Sequence, residues 1–210
     1  MRTVTPLFSK VFSVNELSLT DSEINKIISI IENEEYSNTG NEEISKGSFI
    51  SKNKYLLNKR NLLFLKKKIE KDFKQFMYND LHYTNDFKMT TSWIAKIDPG
   101  GHSHWHNHNN CFFSGVFYLT TNHYVDDNDN SGGIVFSTFS NNRFELVPNK
   151  LDVLNSRNFC FYPKQKEILY FPAEVYHRID KNNSQSIRYS IAFNFIPIGE
   201  IGSGDSQLNL

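Results

Sequence analysis

Isoleucines at 24, 27, 28 and 31 recur at i, i+3, i+4 and i+7, which places them on one face of a helix. Thr20, with Glu23 three residues later, supplies the capping-box start that such a helix needs. Leu62, Leu65, Ile69, Phe73, Phe76 and Met77 predict a second amphipathic helix from about residue 61 to 78. Ahead of the first helix, residues 6–12 read as a strand, and the polar stretch 33–54 reads as a loop. After Phe87 the pattern changes to short strand-like runs separated by turn residues. The runs are 89–97, 102–108, 112–120, 133–137, 168–171 and 188–195, with turns at 98–101, 126–133 and 181–184. The fold class is therefore α+β, mainly β, with two N-terminal helices packed on one face of an antiparallel double sheet. The chain is expected to form a single domain over 1–210. Residues 1–85 make a support layer, 86–198 the β core and 199–210 a flexible tail.

Composition narrows the function classes. Lys and Arg together number 23, as do Asp and Glu, so no net charge favours nucleic acid or an anionic membrane as a partner. Lys66, Lys67, Lys68, Lys71 and Lys74 form the solvated face of the second helix. Cys111 and Cys160 do not make a disulfide framework. With no signal-like stretch and nothing near the ~20 apolar residues of a membrane span, a reducing, cytoplasmic compartment is expected. Eighteen Phe and ten Tyr suit a β-rich aromatic core.

The chemistry concentrates in GGHSHWHNHNN, where His102, His104, His106 and His108 occupy every second position. A strand repeats every two residues, so all four imidazoles would share one face and can converge on a metal. Imidazole suits iron, zinc, copper and nickel. His177, in LYFPAEVYHRI, lies about seventy residues further on, at the end of another β run.

The segments GGHSHWHNHNNCFFSGVFYL, SGGIVF, ILYFPAEVYHRI and SIRYSIAFNF, in that order, resemble the 2-oxoglutarate- and Fe(II)-dependent oxygenases. The closest pattern is that of a subgroup with HxH…SGVYYL…FP…H…RxSxAFN, and the resemblance covers about residues 92–196. It implies a double-stranded β-helix, or jelly roll, with Fe(II), 2-oxoglutarate and O2 as cofactors. The implied reaction is a dioxygenase hydroxylation that releases succinate and CO2. It also implies that Arg188 binds the far carboxylate of 2-oxoglutarate, for which the planar guanidinium fork is suited. Ser190 adds a hydroxyl two residues on, and Tyr118 is a further co-substrate contact.

The sequence departs from the family at one ligand. Aligned on SGVFYL, the motif His is His106, and the position of the usual Asp or Glu holds His108. The favoured set is all-imidazole: His106, His108 and His177. In one alternative the acidic loop of Asp126, Asp127 and Asp129 supplies the ligand. In another, a shifted register gives one His from His108-Asn109-Asn110 and an amide oxygen. Metal affinity is expected to fall below about pH 6.5, where ordinary imidazoles protonate. His102, His104 and Asn194 are assigned to the substrate entrance or to hydrogen bonds on the ligands. Trp105 is assigned to packing, and Gly115, Gly132 and Gly133 to close approach and a tight turn. The rival classes are a cupin-like metal-binding barrel without turnover and a metalloenzyme independent of 2-oxoglutarate; neither needs Arg188 and Ser190. The substrate, a small molecule or a protein residue, is not legible, and a homodimer is left open.

Overall fold

The structure is a computed structural model that describes residues 3–5, 9–40, 43–120, 131–138 and 146–210. Helix α1 (Asp21–Ile31) starts where the sequence places it. The Glu23 amide donates to the Thr20 hydroxyl at 3.2 Å, and the Thr20 amide donates to the Glu23 carboxylate at 2.8 Å. Helix α2 (Leu63–Gln75) continues into a π turn, Phe76–Asp80. Its apolar stripe is buried from Leu62 to Met77. Its lysines reach surface partners instead: Lys66 bonds Asn58, Lys68 the Ser18 carbonyl and Lys74 Asp86.

Among the described residues, twelve strands follow the chain: β1 (Ser13–Glu16), β2 (Tyr36–Asn38), β3 (Ser48–Ser51), β4 (Asp86–Ile97), β5 (Phe113–Tyr118) and β6 (Ile134–Ser137), then β7 (Asn158–Phe161), β8 (Glu167–Pro172), β9 (Tyr176–Ile179), β10 (Arg188–Ile198), β11 (Glu200–Ile201) and β12 (Leu208–Asn209). The large sheet runs β1-β8-β5-β10-β4-β3-β2, and a small sheet runs β7-β6-β9. All of their pairings are antiparallel. The two sheets form the jelly roll, and the helices cover one face of the large sheet.

Strand β10 explains this layering. Its sequence RYSIAFNF is apolar or small at nearly every position because both faces are covered. Ile191, Phe193 and Phe195 pack towards the helices, while Arg188, Ser190, Ala192 and Asn194 face a cavity on the other side. Gly115 permits the sheet to close here: a Cβ would sit 2.8 Å from Phe193 Cζ and 2.9 Å from the Leu169 carbonyl oxygen. Gly132, at φ +63°, makes the turn before β6.

Four expectations need correction. Among the described residues the first strand is β1, which begins directly after residue 12; residues 9–12 are not strand, and 6–8 lie outside the described residues. The polar stretch 33–54 holds β2 and β3, whose alternation is masked by Ser and Asn. Residues 102–108 do not form a strand; His106 alone makes an isolated bridge, to His177. The expected tail instead closes as a β11–β12 hairpin. Among the described residues, no helix is long and apolar enough to cross a membrane.

Phe73 joins the helical layer to the sheet. Its ring stacks on Phe195 at 3.9 Å and meets Tyr170 edge-on at 5.1 Å. Phe73→Ala should destabilise the fold by about 3–5 kcal/mol. A urea midpoint that falls while the slope of the transition stays constant would show this; an unchanged midpoint would mean that the helices are not coupled to the sheet through this ring.

Candidate metal centre

The cavity lies between the two sheets and has a volume of about 410 Å³. Its histidines come from two segments. Residues 103–108 lie along the open edge of β9 and are held there by backbone hydrogen bonds. The Ser103 amide donates to the Ile179 carbonyl at 3.0 Å, His106 to His177 at 3.0 Å, His177 back to His106 at 2.8 Å, and His108 to Ala173 at 2.9 Å. The ligand nitrogens of His106, His108 and His177 then lie within 4.8 Å of one another.

The ring orientations are fixed by protein acceptors. His106 Nδ1 lies 2.9 Å from the His104 carbonyl oxygen, and His177 Nδ1 lies 3.0 Å from that of Val175. A carbonyl only accepts, so each Nδ1 carries the proton and each Nε2 keeps its lone pair. His108 stacks on Trp93, with ring centroids 5.6 Å apart, and is hydrogen-bonded by the Asn194 side chain. Asn194 is itself pinned: Ser114 Oγ donates to its Oδ1 at 2.8 Å, and its Nδ2 donates to Thr91 Oγ1 at 3.1 Å. Nε2 of His108 and Nε2 of His177 are 3.3 Å apart. Since His177 Nε2 is unprotonated, it accepts a hydrogen bond from His108 Nε2, and a divalent metal can take the place of that shared proton, so the donor set fits such an ion.

Burial keeps these rings neutral. His177, 5% exposed, is held well below the ordinary imidazole range by burial first and then by the His106 and His108 rings. Burial, with His106 beside it, brings His108 down to about 4. His106 is lowered mainly by burial, against the Nδ1 bond to the His104 carbonyl.

The other predicted residues divide. Arg188 (2% exposed), Ser190 and Tyr118 line the same cavity from β10 and β5. Arg188 Nη1 is 3.4 Å from Ser190 Oγ, and its guanidinium lies over the Tyr118 ring at 5.0 Å. Asn194 lines the cavity and bonds His108, as described. His104 lines it too, with Nδ1 3.3 Å from Ser45 Oγ. His102 does not line it: its amide donates to the Lys46 carbonyl on the approach to the run. Trp105 faces away and packs under Arg178. Asp126, Asp127 and Asp129 lie outside the described residues. Sequence reasoning missed Trp93 and the contributions of Asn38 and Thr39 from β2 and its end. Only the pairing of β2, β3 and β4 brings those residues to the cavity.

Residues 91–194 match a family model described as "Putative 2OG-Fe(II) oxygenase". No curated protein matches the chain. Several solved structures resemble it. HygX from Streptomyces hygroscopicus, with nickel, 2-oxoglutarate and hygromycin B bound, superposes with a TM-score of 0.62 at 10% identity, over 89% of this chain and 82% of that one. A Pseudomonas putida prolyl-4-hydroxylase gives 0.60 at 15% identity, over 88% and 92%. The non-haem alpha-ketoglutarate-dependent epimerase SnoN, from nogalamycin biosynthesis, gives 0.64 at 9% identity, over 88% and 76%. At such identities the likeness is one of fold.

The lowered imidazoles set a pH dependence. Histidines of the unfolded chain titrate near 6.5. Between that value and about 4, the unfolded chain binds protons that the folded chain does not. Stability of the metal-free protein should therefore fall as pH drops from 6.5, with a limiting slope of about 1.4 kcal/mol per pH unit for each imidazole. Urea midpoints at pH 7, 6 and 5 check this. Metal affinity of the folded protein should begin to fall at a lower pH than ordinary histidines would give, because burial lowers all three rings, and this revises the expectation drawn from the sequence. Calorimetric titration over the same range is the second check.

Proposed function

Since residues 91–194 belong to the 2OG-Fe(II) oxygenase family, we propose that the protein is an Fe(II)- and 2-oxoglutarate-dependent dioxygenase of the hydroxylating kind. In this reading His106, His108 and His177 hold the metal, and Arg188 holds the tail of the co-substrate. One observation carries it: three converging imidazoles and a buried guanidinium line one cavity between the two sheets. A cupin-like barrel without turnover has no use for a cation buried at that position.

When bound, Fe(II) and 2-oxoglutarate reduce dioxygen, release succinate and CO2, and supply the oxidising equivalents that act on a C–H bond of a third molecule. The chain's own residues do the rest. The histidines present neutral nitrogens whose direction is set before the metal arrives. Arg188 offers a planar fork to the far carboxylate, with the Ser190 hydroxyl beside it and the Tyr118 ring beneath. Val116, Ile134, Phe171 and Ile179 make the cavity wall apolar and limit water near the metal. Hydroxylation is the assigned outcome. Because one neighbour of the same fold is an epimerase, identifying the product decides it.

Two measurements test the proposal. His106→Ala and His177→Ala should each abolish tight Fe(II) binding, while His82→Asn, outside the cluster, should keep it; equal calorimetric titrations of all three would remove the ligand set. Arg188→Ala should weaken 2-oxoglutarate binding by about 2–5 kcal/mol, with partial rescue by Arg188→Lys. Binding as tight as in the parent would place the co-substrate tail elsewhere.

A further inference from the structure

The charge around the metal position is unusual for this chemistry. The residue lying two after His106 is His108, and it stands in the cluster as an imidazole, a donor that binds a metal without adding charge, where the family pattern has a carboxylate. Among the described residues, no Asp, Glu or Lys lines the cavity. Apart from Arg188, Tyr118 and four histidines, the polar lining consists of Asn, Thr and Ser side chains, which carry no charge.

The balance follows. A divalent metal brings two positive charges. Of the two carboxylates of 2-oxoglutarate, one goes to Arg188 and the other to the metal. A protein carboxylate would cancel the second charge on the metal; three imidazoles leave it uncompensated. In a cavity set between two sheets, such a charge is screened less than at the surface, so it attracts an anion and disfavours a cation.

Building on the function proposed above, we infer that the substrate is a small anion that brings one carboxylate, or a like singly charged group, into this cavity beside the metal. The substrate completes the electroneutral set that the triad leaves short. Asn107 and Asn38, as side-chain amides on the cavity lining, can donate to such a group without adding charge. A substrate whose reacting end is cationic would add to the surplus and is disfavoured.

The test uses an isosteric pair that differs in charge, acetate and acetamide, titrated anaerobically into the protein loaded with Fe(II) and saturated with 2-oxoglutarate. The visible charge-transfer absorption of the complex reports both that the co-substrate stays bound and that the probe perturbs the site. The parent should bind acetate at least tenfold more tightly than acetamide. His108→Asp adds the missing charge and should abolish the preference, whereas His108→Asn, which adds none, should keep it. Asn107→Asp places a negative charge on the lining without touching the ligands and should also cut the preference, so a misfolded His108→Asp does not remove the test. Equal binding of acetate and acetamide by the parent would overturn the inference, and so would a preference that survives both acidic variants. A parent that fails to bind Fe(II) and 2-oxoglutarate at all is a different result: it overturns the proposed function, and this inference with it.

Discussion

The site hangs on one reciprocal pair of backbone hydrogen bonds, between His106 and His177. This is a single antiparallel bridge, with no regular strand on the His106 side. It brings the two rings to a centroid separation of 4.3 Å. Flanking bonds from Ser103 to Ile179 and from His108 to Ala173 fix the rest of the histidine run beside β9 and the turn before it, without making the run a strand. Backbone pairing suits this task because its geometry does not depend on the side chains it positions. The third ring is held differently: His108 is braced from the large sheet, by Trp93 on β4 and Asn194 on β10. The cluster thus exists only where the two sheets face each other.

Strand β10 makes that facing possible. One of its faces is part of the helix-covered core, and the other carries Arg188, Ser190 and Asn194. The packing of α2 through Phe73 and Phe195 is therefore one residue removed from the polar lining. Rigidity gained in the core is passed to the guanidinium and to the amide that steadies His108. Functional side chains placed on a packed strand in this way are held more closely than they would be on a loop.

Much of the architecture was legible in the sequence, and the exceptions share a cause. The helices were readable because the isoleucines of α1 and the stripe from Leu62 to Met77 repeat at helical spacing, and the Thr20 cap sits at its proper offset. Strands β4, β5, β8 and β10 were readable from apolar runs between turns. The short strands β2 and β3 were not, because four of their seven residues are Ser or Asn and a neighbour's pairing, not their own pattern, makes them strands. The histidine run deceived in a more informative way. Its alternation did place three rings together, yet Asn, Ser and His lack the bulk that holds a regular strand. His102, next to the Gly100-Gly101 turn, falls outside the cavity. Arg188 and Ser190 were legible as a pair, while Trp93 and Thr39 became visible only through register.

The carbonyl anchors on His106 and His177 have a consequence for how an ion would enter. Because they belong to the backbone, the rings take their direction when the chain folds, and the ordering cost falls on folding rather than on uptake. A divalent ion therefore meets a rigid mould and changes it little. Rigid imidazole sets follow the general affinity series, in which copper outranks zinc and nickel, and all three outrank ferrous iron. Among the described residues, no feature of this mould reverses that series. In a living cell the occupant would then be decided by supply, that is, by which ion is freely exchangeable when the protein matures.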